Sequence, residues 1–266
     1  MLFAVDIGNT NVVLAVFDGD KIVTQWRVAT DTRRTGDEYS SIILMLARDA
    51  GIDLGKFDRA IISSVVPALI GPFVIVCQRV CRVQPIVMTS SMAMSGILPV
   101  YLSENSTREL GTDLLCNAVA ARKLFGAKPS IAVDFGTALT LTVTSSNGEI
   151  LGGTISPGLG TAVKALATSA AQLSFVPLET PPNIIGATTK DAIQAGIVLG
   201  YKGLVESLVK GVKEELAHRG ENISDVCVVA TGGLNSVLKP ITECFTTVDK
   251  DLTVKGLRLI SECLER

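Results

Sequence analysis

Residues 2–29 of the chain read LFAVDIGNTNVVLAVFDGDKIVTQWRVA. The first apolar run ends in Asp6, and the polar turn GNTN at 8–11 separates it from the next apolar run. The tripeptide DGD at 18–20 is a hairpin signal, and a third strand-like run follows it. The stretch therefore predicts an antiparallel three-stranded meander whose first strand ends in a carboxylate.

The same order of features recurs at 130–157, which reads SIAVDFGTALTLTVTSSNGEILGGTISP. An apolar run ends in Asp134, the turn FGTA follows at 135–138, and the dipeptide NG at 147–148 marks the hairpin. Two copies of one pattern predict a duplicated α/β fold with a cleft between its halves. We place the domain boundary so that residues 1–115 form the first half and residues 116–266 the second.

Helices and buried strands are predicted between and after the two meanders from apolar periodicity and flanking Gly and Pro residues. The predicted helices cover 37–50, 67–80, 109–125, 188–218 and 251–265, and the further strands cover 61–65 and 225–230. Residues 92–106 have the composition of a linker.

The bulk composition excludes several classes of function. The 266 residues are 47% hydrophobic, carry a formal net charge of −2 and include only 5% aromatic residues, so we expect no nucleic-acid partner. The six cysteines form no metal-binding spacing, and we expect them to be reduced core residues. No signal peptide is expected, and Pro67 and Pro72 break the most apolar run, so we expect a cytoplasmic protein without a membrane partner.

The two acidic turns have residue types that suit a phosphate ligand. A glycine lets the backbone approach a ligand closely, and the Asn and Thr side chains offer neutral hydrogen-bond donors. Each turn alone also fits an ordinary hairpin. Two such turns in matching strand contexts favour a pair that binds a polyphosphate from opposite sides.

Two further segments carry candidate site residues. The turn Thr231-Gly232-Gly233 follows a predicted strand, and it suits either a flat ligand or a tight strand-to-helix connection. Asp113 opens an apolar helix, where it fits either a helix-stabilising carboxylate or a general base that accepts a proton from a substrate hydroxyl.

Seven motifs in one order resemble those of the type III pantothenate kinases and extend over nearly the whole chain. They are DIGNTN at 6–11, SSVVP at 63–67, the GxD element at 111–113, DFGTA at 134–138, GGTISPGL at 152–159, AIQAG at 192–196 and ATGGL at 230–234. The resemblance implies duplicated RNase H-like domains of the actin and sugar-kinase type with a central cleft. It also implies ATP-dependent phosphorylation of pantothenate, the first step of coenzyme A biosynthesis, by a homodimer whose second subunit completes the substrate pocket.

The resemblance further implies a role for each matching residue. Asp113 would be the general base, Asp6 would lie near Mg²⁺, and Asp134 would coordinate a monovalent cation, K⁺ or NH₄⁺. The implied ATP-binding residues are Asp6, Ile7, Gly8, Asn9, Thr10, Asn11, Val12, Val13, Thr137, Gly232 and Gly233. The implied substrate-binding residues are Gly111, Thr112, Asp113, Leu114 and Thr189.

Departures from the family pattern are concentrated at the substrate site. The family has Arg at the position of Leu114, Tyr at Glu104 and Asn-Pro at 106–107, where this chain has Ser and Thr. It also has Asn at Thr188 and Thr at Leu139. Leucine cannot replace the charge-assisted pair that an Arg makes with a carboxylate.

Three functions remain open at this point. In the first, the chain is a pantothenate kinase with a weaker or rearranged substrate site in which another cation, such as Arg108, binds the carboxylate. In the second it is a kinase for another small alcohol, and in the third it is a noncatalytic ATP-binding relative with a regulatory role. The persistence of Asp6, Asp113, Asp134 and Thr137 favours the first.

Overall fold

The computed structural model describes residues 1–103, 110–169, 173 and 175–265. The chain divides into two compact units. The first contains residues 1–120 together with the C-terminal segment from Leu252 onward, and the second contains residues 121–251.

The first unit is built on a five-stranded sheet with the order β3-β2-β1-β4-β5. Its strands are β1 (Leu2–Ile7), β2 (Asn11–Asp18), β3 (Lys21–Ala29), β4 (Arg59–Ser64) and β5 (Ile86–Val87). The central strand β1 pairs antiparallel with β2 and parallel with β4, so its apolar side chains are buried on both faces.

Helices α1 (Gly36–Asp49), α2 (Ile70–Val76), α3 (Thr112–Phe125) and α8 (Leu252–Leu264) complete the elements of this unit. A capping box begins α1, because the Thr35 hydroxyl accepts from the Glu38 N–H and the Glu38 carboxylate accepts from the Thr35 N–H. A short π-helical segment, Cys77–Cys81, continues α2. The side chains of Tyr39 and Phe73 pack together in the core with ring centroids 4.6 Å apart.

The second unit repeats the strand order as β8-β7-β6-β9-β10. Its strands are β6 (Ser130–Phe135), β7 (Ala138–Thr144), β8 (Ile150–Pro157), β9 (Cys227–Thr231) and β10 (Thr247–Val248). Its helices are α4 (Leu159–Ser169), α5 (Thr189–Gln194), α6 (Gly200–His218) and α7 (Asn235–Leu238), and the π-helical segment Ala195–Leu199 joins α5 to α6.

The matching strand orders confirm the predicted duplicated α/β fold of the RNase H-like type. Both predicted meanders form, with β1 pairing β2 and β2 pairing β3 in the first unit and the equivalent pairs in the second. The predicted helix at 109–125 begins at Thr112 within the described residues. Helix α4 and the short strands β5 and β10 were not predicted, whereas α7 begins where the glycine turn after β9 was expected to open a helix.

The C-terminal helix α8 joins the first unit, whereas the proposed boundary after residue 115 assigned it to the second half. The physical reason is that its many buried side chains pack against β1 and β4. Gly256 of α8 lies against the backbone carbonyl of Cys116 in α3, and a Cβ atom at Gly256 would overlap that carbonyl. The Thr253 hydroxyl donates to the Asn117 side-chain oxygen, 2.9 Å away, and adds a second link between the two helices.

The continuous helical run 189–218 is long and apolar enough by composition to cross a membrane. Its buried side chains, however, belong to the hydrophobic core of the second unit. They include Ile193, Val198, Val205, Val209 and Leu216. The run therefore packs one face against this core, and 39% of its apolar 18-residue window is buried.

Candidate functional site

Asp6 lies near the end of β1, the central strand of the first sheet. It pairs with Val13 on the antiparallel side and with Ser63 on the parallel side, and its side chain is half-buried. Because β1 and β4 run parallel, their carboxyl ends lie at the same edge of the sheet. Asp6 and Ser63 are therefore neighbours at that edge.

The turn after Asp6 is fixed by hydrogen bonds to its backbone. The Gly8 N–H donates to the Asn11 carbonyl (3.0 Å), and the Thr30 hydroxyl donates to the Gly8 carbonyl (2.6 Å). The Thr30 N–H donates to the Thr10 carbonyl (3.0 Å). Asn9 and Thr10 remain exposed, so the turn presents amide and hydroxyl groups on a fixed backbone.

The first turn of α3 is joined to the end of β4. The Thr112 hydroxyl lies 2.9 Å from the Ser63 hydroxyl and accepts from the Ser64 N–H at 3.2 Å. It also donates to the Ser64 carbonyl at 3.4 Å. This contact places the next residue, Asp113, at the same edge of the sheet as Asp6.

Asp113 is half-buried, and its carboxylate accepts from the Leu114 N–H at 2.9 Å. Burial raises its pKa above the ordinary 3.8, although hydrogen bonds from the Leu114 and Asp113 backbone act in the opposite direction. Gly111 leaves room for this carboxylate, because a Cβ atom there would overlap the Asp113 carboxylate oxygen and the Asp113 side chain would have to move.

The Cys116 thiol is near enough to both Asp6 and Asp113 to feel their charges. Cys116 is fully buried in α3, and burial raises the pKa of its thiol well above 9.0. The negative charges of Asp6 and Asp113 raise this pKa further, while a hydrogen bond with Ser63 lowers it. The structure therefore brings together Asp6, Ser63, Asp113 and a neutral thiol, of which the sequence singled out only the two carboxylates as site residues.

Asp134 occupies the equivalent place in the second unit. It is half-buried near the end of β6 and pairs with Thr231 at the end of the parallel strand β9. The Thr231 hydroxyl oxygen is buried and has no hydrogen-bond partner among the described residues. Gly232 follows with φ = +85°, so that its backbone packs directly against Asp134 and Phe135.

The turn after Asp134 is also fixed, but it is one residue shorter than the first turn. The Gly136 N–H donates to the Ala138 carbonyl (3.1 Å). The Gly158 N–H and the Thr161 hydroxyl donate to the Thr137 carbonyl at 2.9 and 2.6 Å. The Thr137 side chain is exposed. A Cβ atom at Gly158 would overlap the Gly136 carbonyl, and this contact accounts for the second-to-last residue of the GGTISPGL motif.

Two departures from the expected pattern have a local structural account. The Leu139 side chain is fully buried in the core of the second unit. The Thr188 hydroxyl caps α5 by accepting from the Asp191 N–H at 3.1 Å, a role that asparagine also performs well. Thr189, the first residue of α5, is exposed.

Leu114 is half-buried next to Asp113. The other departures, Glu104, Ser106 and Thr107, and the alternative cation Arg108 lie outside the described residues. Within the part of the chain that the structure describes, no group of three or more His, Cys, Asp or Glu side chains could hold a metal ion.

Comparisons with known proteins give a consistent picture. The family profile of type III pantothenate kinases matches residues 2–211. The type III pantothenate kinase of Thermomicrobium roseum is 40% identical over 266 residues, covering 100% of this chain and 98% of that protein. The enzyme of the same description from Paramagnetospirillum magneticum is 41% identical over 257 residues, covering 97% of this chain and 95% of that protein.

One solved structure illustrates the fold. The activator of the 2-hydroxyisocaproyl-CoA dehydratase from Clostridium difficile, with bound ADPNP, has a TM-score of 0.53 to this chain at 15% identity. The match covers 99% of this chain and 96% of that one. At this identity the likeness concerns the fold alone.

Replacing Gly232 by alanine tests the contact with Asp134. Gly232 and Gly220 have almost the same positive φ, +85° and +86°, but a Cβ atom at Gly220 would meet nothing within 4 Å. Gly220→Ala should cost about 1–2 kcal/mol of unfolding free energy through backbone strain alone. Gly232→Ala should cost about 1–3 kcal/mol more, because its Cβ would lie 2.7 Å from the Phe135 backbone and 2.6 Å from the Asp134 carboxylate oxygen. Urea unfolding measures both values, and equal costs would contradict the close contact.

Replacing Asp113 by asparagine tests the effect of burial on its carboxylate. Because the folded-state pKa of Asp113 is raised, the folded protein holds this proton more tightly than the unfolded chain does. Its ionisation therefore lowers the free energy of unfolding as the pH rises from the ordinary pKa through the raised one. Asp113→Asn should be more stable than the parent at pH 7, and this advantage should disappear below pH 3.8. A variant that is less stable at pH 7 would contradict the assignment.

Proposed function

The chain belongs to the type III pantothenate kinase family and phosphorylates pantothenate in the synthesis of coenzyme A, and we propose that Asp113 is the general base of this reaction. The observation that carries the proposal is the position of Asp113 at the same strand edge as Asp6, where both charges act on the Cys116 thiol. A kinase must hold its acceptor hydroxyl next to the phosphates of ATP. Asp113, a second carboxylate beside the proposed phosphate-binding turn of Asp6, suits that task.

In the proposed reaction, an oxygen–phosphorus bond forms between the pantothenate hydroxyl and the γ-phosphorus of ATP. The bond from that phosphorus to the bridging oxygen breaks, and ADP leaves with the electron pair. The hydroxyl proton passes to the Asp113 carboxylate. Burial raises the pKa of Asp113, and this makes the carboxylate a better proton acceptor than an exposed aspartate.

We assign ATP binding to the two acidic turns and to the glycine turn after β9. In the first unit the proposed ATP-binding segment extends from Asp6 to Val13, and the exposed side chains of Asn9 and Thr10 support this assignment. In the second unit the exposed Thr137 and the close backbone of Gly232 and Gly233 support it. Positioning and charge neutralisation supply most of the catalysis in phosphoryl transfer, so fixed turns suit this role.

Asp6 is the proposed ligand of the magnesium ion that accompanies ATP. Mg²⁺ usually keeps several waters and is held by one or two carboxylates together with substrate phosphates. The half-buried Asp6 carboxylate at the start of the proposed phosphate-binding turn fits that mode of binding. The ion would neutralise charge on the transferred phosphoryl group.

Asp134 is the proposed ligand of a monovalent cation, K⁺ or NH₄⁺. The buried Thr231 hydroxyl oxygen supports this, because it has no hydrogen-bond partner among the described residues and its residue pairs with Asp134. A cation between these groups would satisfy a hydroxyl that is otherwise costly to bury.

Gly111, Leu114 and Thr189 are the proposed pantothenate-binding positions, and Thr112 is the fourth position that the family resemblance assigns to the substrate. The half-buried Leu114 offers the substrate an apolar contact and no cation. The pantothenate carboxylate therefore requires a positive group from elsewhere in the chain.

We further propose that the protein is a homodimer and acts in the cytoplasm. Four large apolar side chains of the second unit are exposed by 68–84%, namely Ile155, Phe175, Ile184 and Ile185. Ile155 also lies on β8, an edge strand of its sheet, and both features suit contact with a second copy. All six cysteines are free, as expected in a reducing compartment.

The Asp113→Asn variant tests the proposed base through turnover. Release of ADP in the presence of pantothenate should fall by about 10²–10⁴-fold, because asparagine cannot accept the proton. ATP affinity should change little. Asp49→Asn, at an exposed aspartate that ends α1, is the control and should turn over like the parent. Full turnover by Asp113→Asn would exclude Asp113 as the base, and no ADP release by the parent at saturating pantothenate would exclude pantothenate as the acceptor.

Sedimentation velocity tests the proposed dimer. Ile185→Asp places a charge at the most exposed of the four apolar positions and should produce monomers. Met45→Asp changes an apolar side chain of the first unit that is 62% exposed, and this control should remain dimeric. A monomeric parent protein, or dissociation by Met45→Asp alone, would contradict the proposed interface.

A further inference from the structure

We propose that Thr112 is a positioning residue whose hydroxyl holds Asp113 beside Asp6, an inference that rests on the proposed role of Asp113 as the base. The resemblance to the family assigns position 112 to substrate binding. The contacts of its side chain favour a different role, because they are made inside the protein.

The Thr112 hydroxyl has three protein partners. It lies 2.9 Å from the Ser63 hydroxyl, accepts from the Ser64 N–H at 3.2 Å and donates to the Ser64 carbonyl at 3.4 Å. Thr112 is only 8% exposed, and Ser63 is completely buried. A hydroxyl has one donor and two acceptor sites, so these contacts use the full capacity of Thr112.

These contacts form a continuous link between the two carboxylates. Asp6 is the strand partner of Ser63, the Ser63 hydroxyl contacts the Thr112 hydroxyl, and Thr112 immediately precedes Asp113. Because Thr112 is the first residue of α3, its side chain fixes the start of the helix against the end of β4. The direction of the Asp113 side chain depends on that start.

The second turn of α3 is held independently from the other side. Gly256 of α8 lies against the Cys116 carbonyl, and the Thr253 hydroxyl donates to Asn117 at 2.9 Å. Contacts with α8 therefore hold the second turn of α3, whereas the Thr112 hydroxyl holds its first turn.

Valine in place of Thr112 separates positioning from packing. It has nearly the same shape but lacks the hydroxyl, so the Ser63 hydroxyl and the Ser64 N–H both lose a buried partner. The first turn is then expected to shift, and Asp113 is expected to become more hydrated. Serine at this position keeps the hydroxyl and loses only a methyl group.

The experiment compares Thr112→Val, Thr112→Ser and Thr253→Val by steady-state kinetics from pH 4 to pH 9, with pantothenate and ATP as substrates. Thr112→Val should lower kcat by about tenfold or more while the KM for ATP changes by less than about threefold. The acidic limb of its kcat profile should move to lower pH, because a more hydrated carboxylate has a lower pKa. Thr112→Ser should restore both kcat and the position of the acidic limb.

Thr253→Val is the matched control, since it also removes a threonine hydroxyl bonded to a buried partner of α3. It should lower the melting temperature without moving the acidic limb. The proposal is overturned if Thr112→Val keeps the parental kcat and acidic limb, or if Thr112→Ser is as impaired as Thr112→Val. If Thr112→Val behaves like the parent while Asp113→Asn is inactive, the role of Thr112 is wrong and the proposed base stands. If Asp113→Asn turns over like the parent, the proposed base and the role of Thr112 are both wrong.

Discussion

Parallel pairing at the centre of each sheet is the constraint on which the rest of the structure depends. It sets Asp6 beside Ser63 in the first unit and Asp134 beside Thr231 in the second. Since parallel strands end at a common edge, each carboxylate acquires a buried hydroxyl neighbour and a turn that begins immediately after it. In the first unit that hydroxyl, on Ser63, contacts the helix that carries Asp113.

Features that depend on neighbouring residues were predictable from the sequence. Both meanders, the glycine turns and the start of α1 follow from hairpin signals, apolar alternation and capping chemistry within a few positions. The packing of α8 on the first unit and the contact of Thr112 with Ser63 were not predictable, because the partners are far apart in sequence. The same holds for the contact of Gly232 with Asp134 and Phe135 on a different strand, although the φ of +85° at Gly232 favours glycine locally.

The departures from the family pattern differ in their physical consequences. Leu139 is a core side chain, and Thr188 caps α5 as an asparagine would, so the surrounding structure accommodates both. Leu114 differs, because a half-buried leucine beside the proposed base cannot supply a positive charge. Of these three departures, the one at the proposed substrate site therefore changes the chemistry most, although the contacts that we propose to position Asp113 are present.

A crystal structure with pantothenate, Mg²⁺ and a nonhydrolysable ATP analogue is the most direct test of the central claim. The account predicts phosphate oxygens within hydrogen-bond distance of the turns that follow Asp6 and Asp134, about 2.7–3.2 Å from their donors. It also predicts the acceptor hydroxyl of pantothenate at a similar distance from the Asp113 carboxylate. A nucleotide whose phosphates touch neither turn, or an acceptor hydroxyl remote from Asp113, would contradict it.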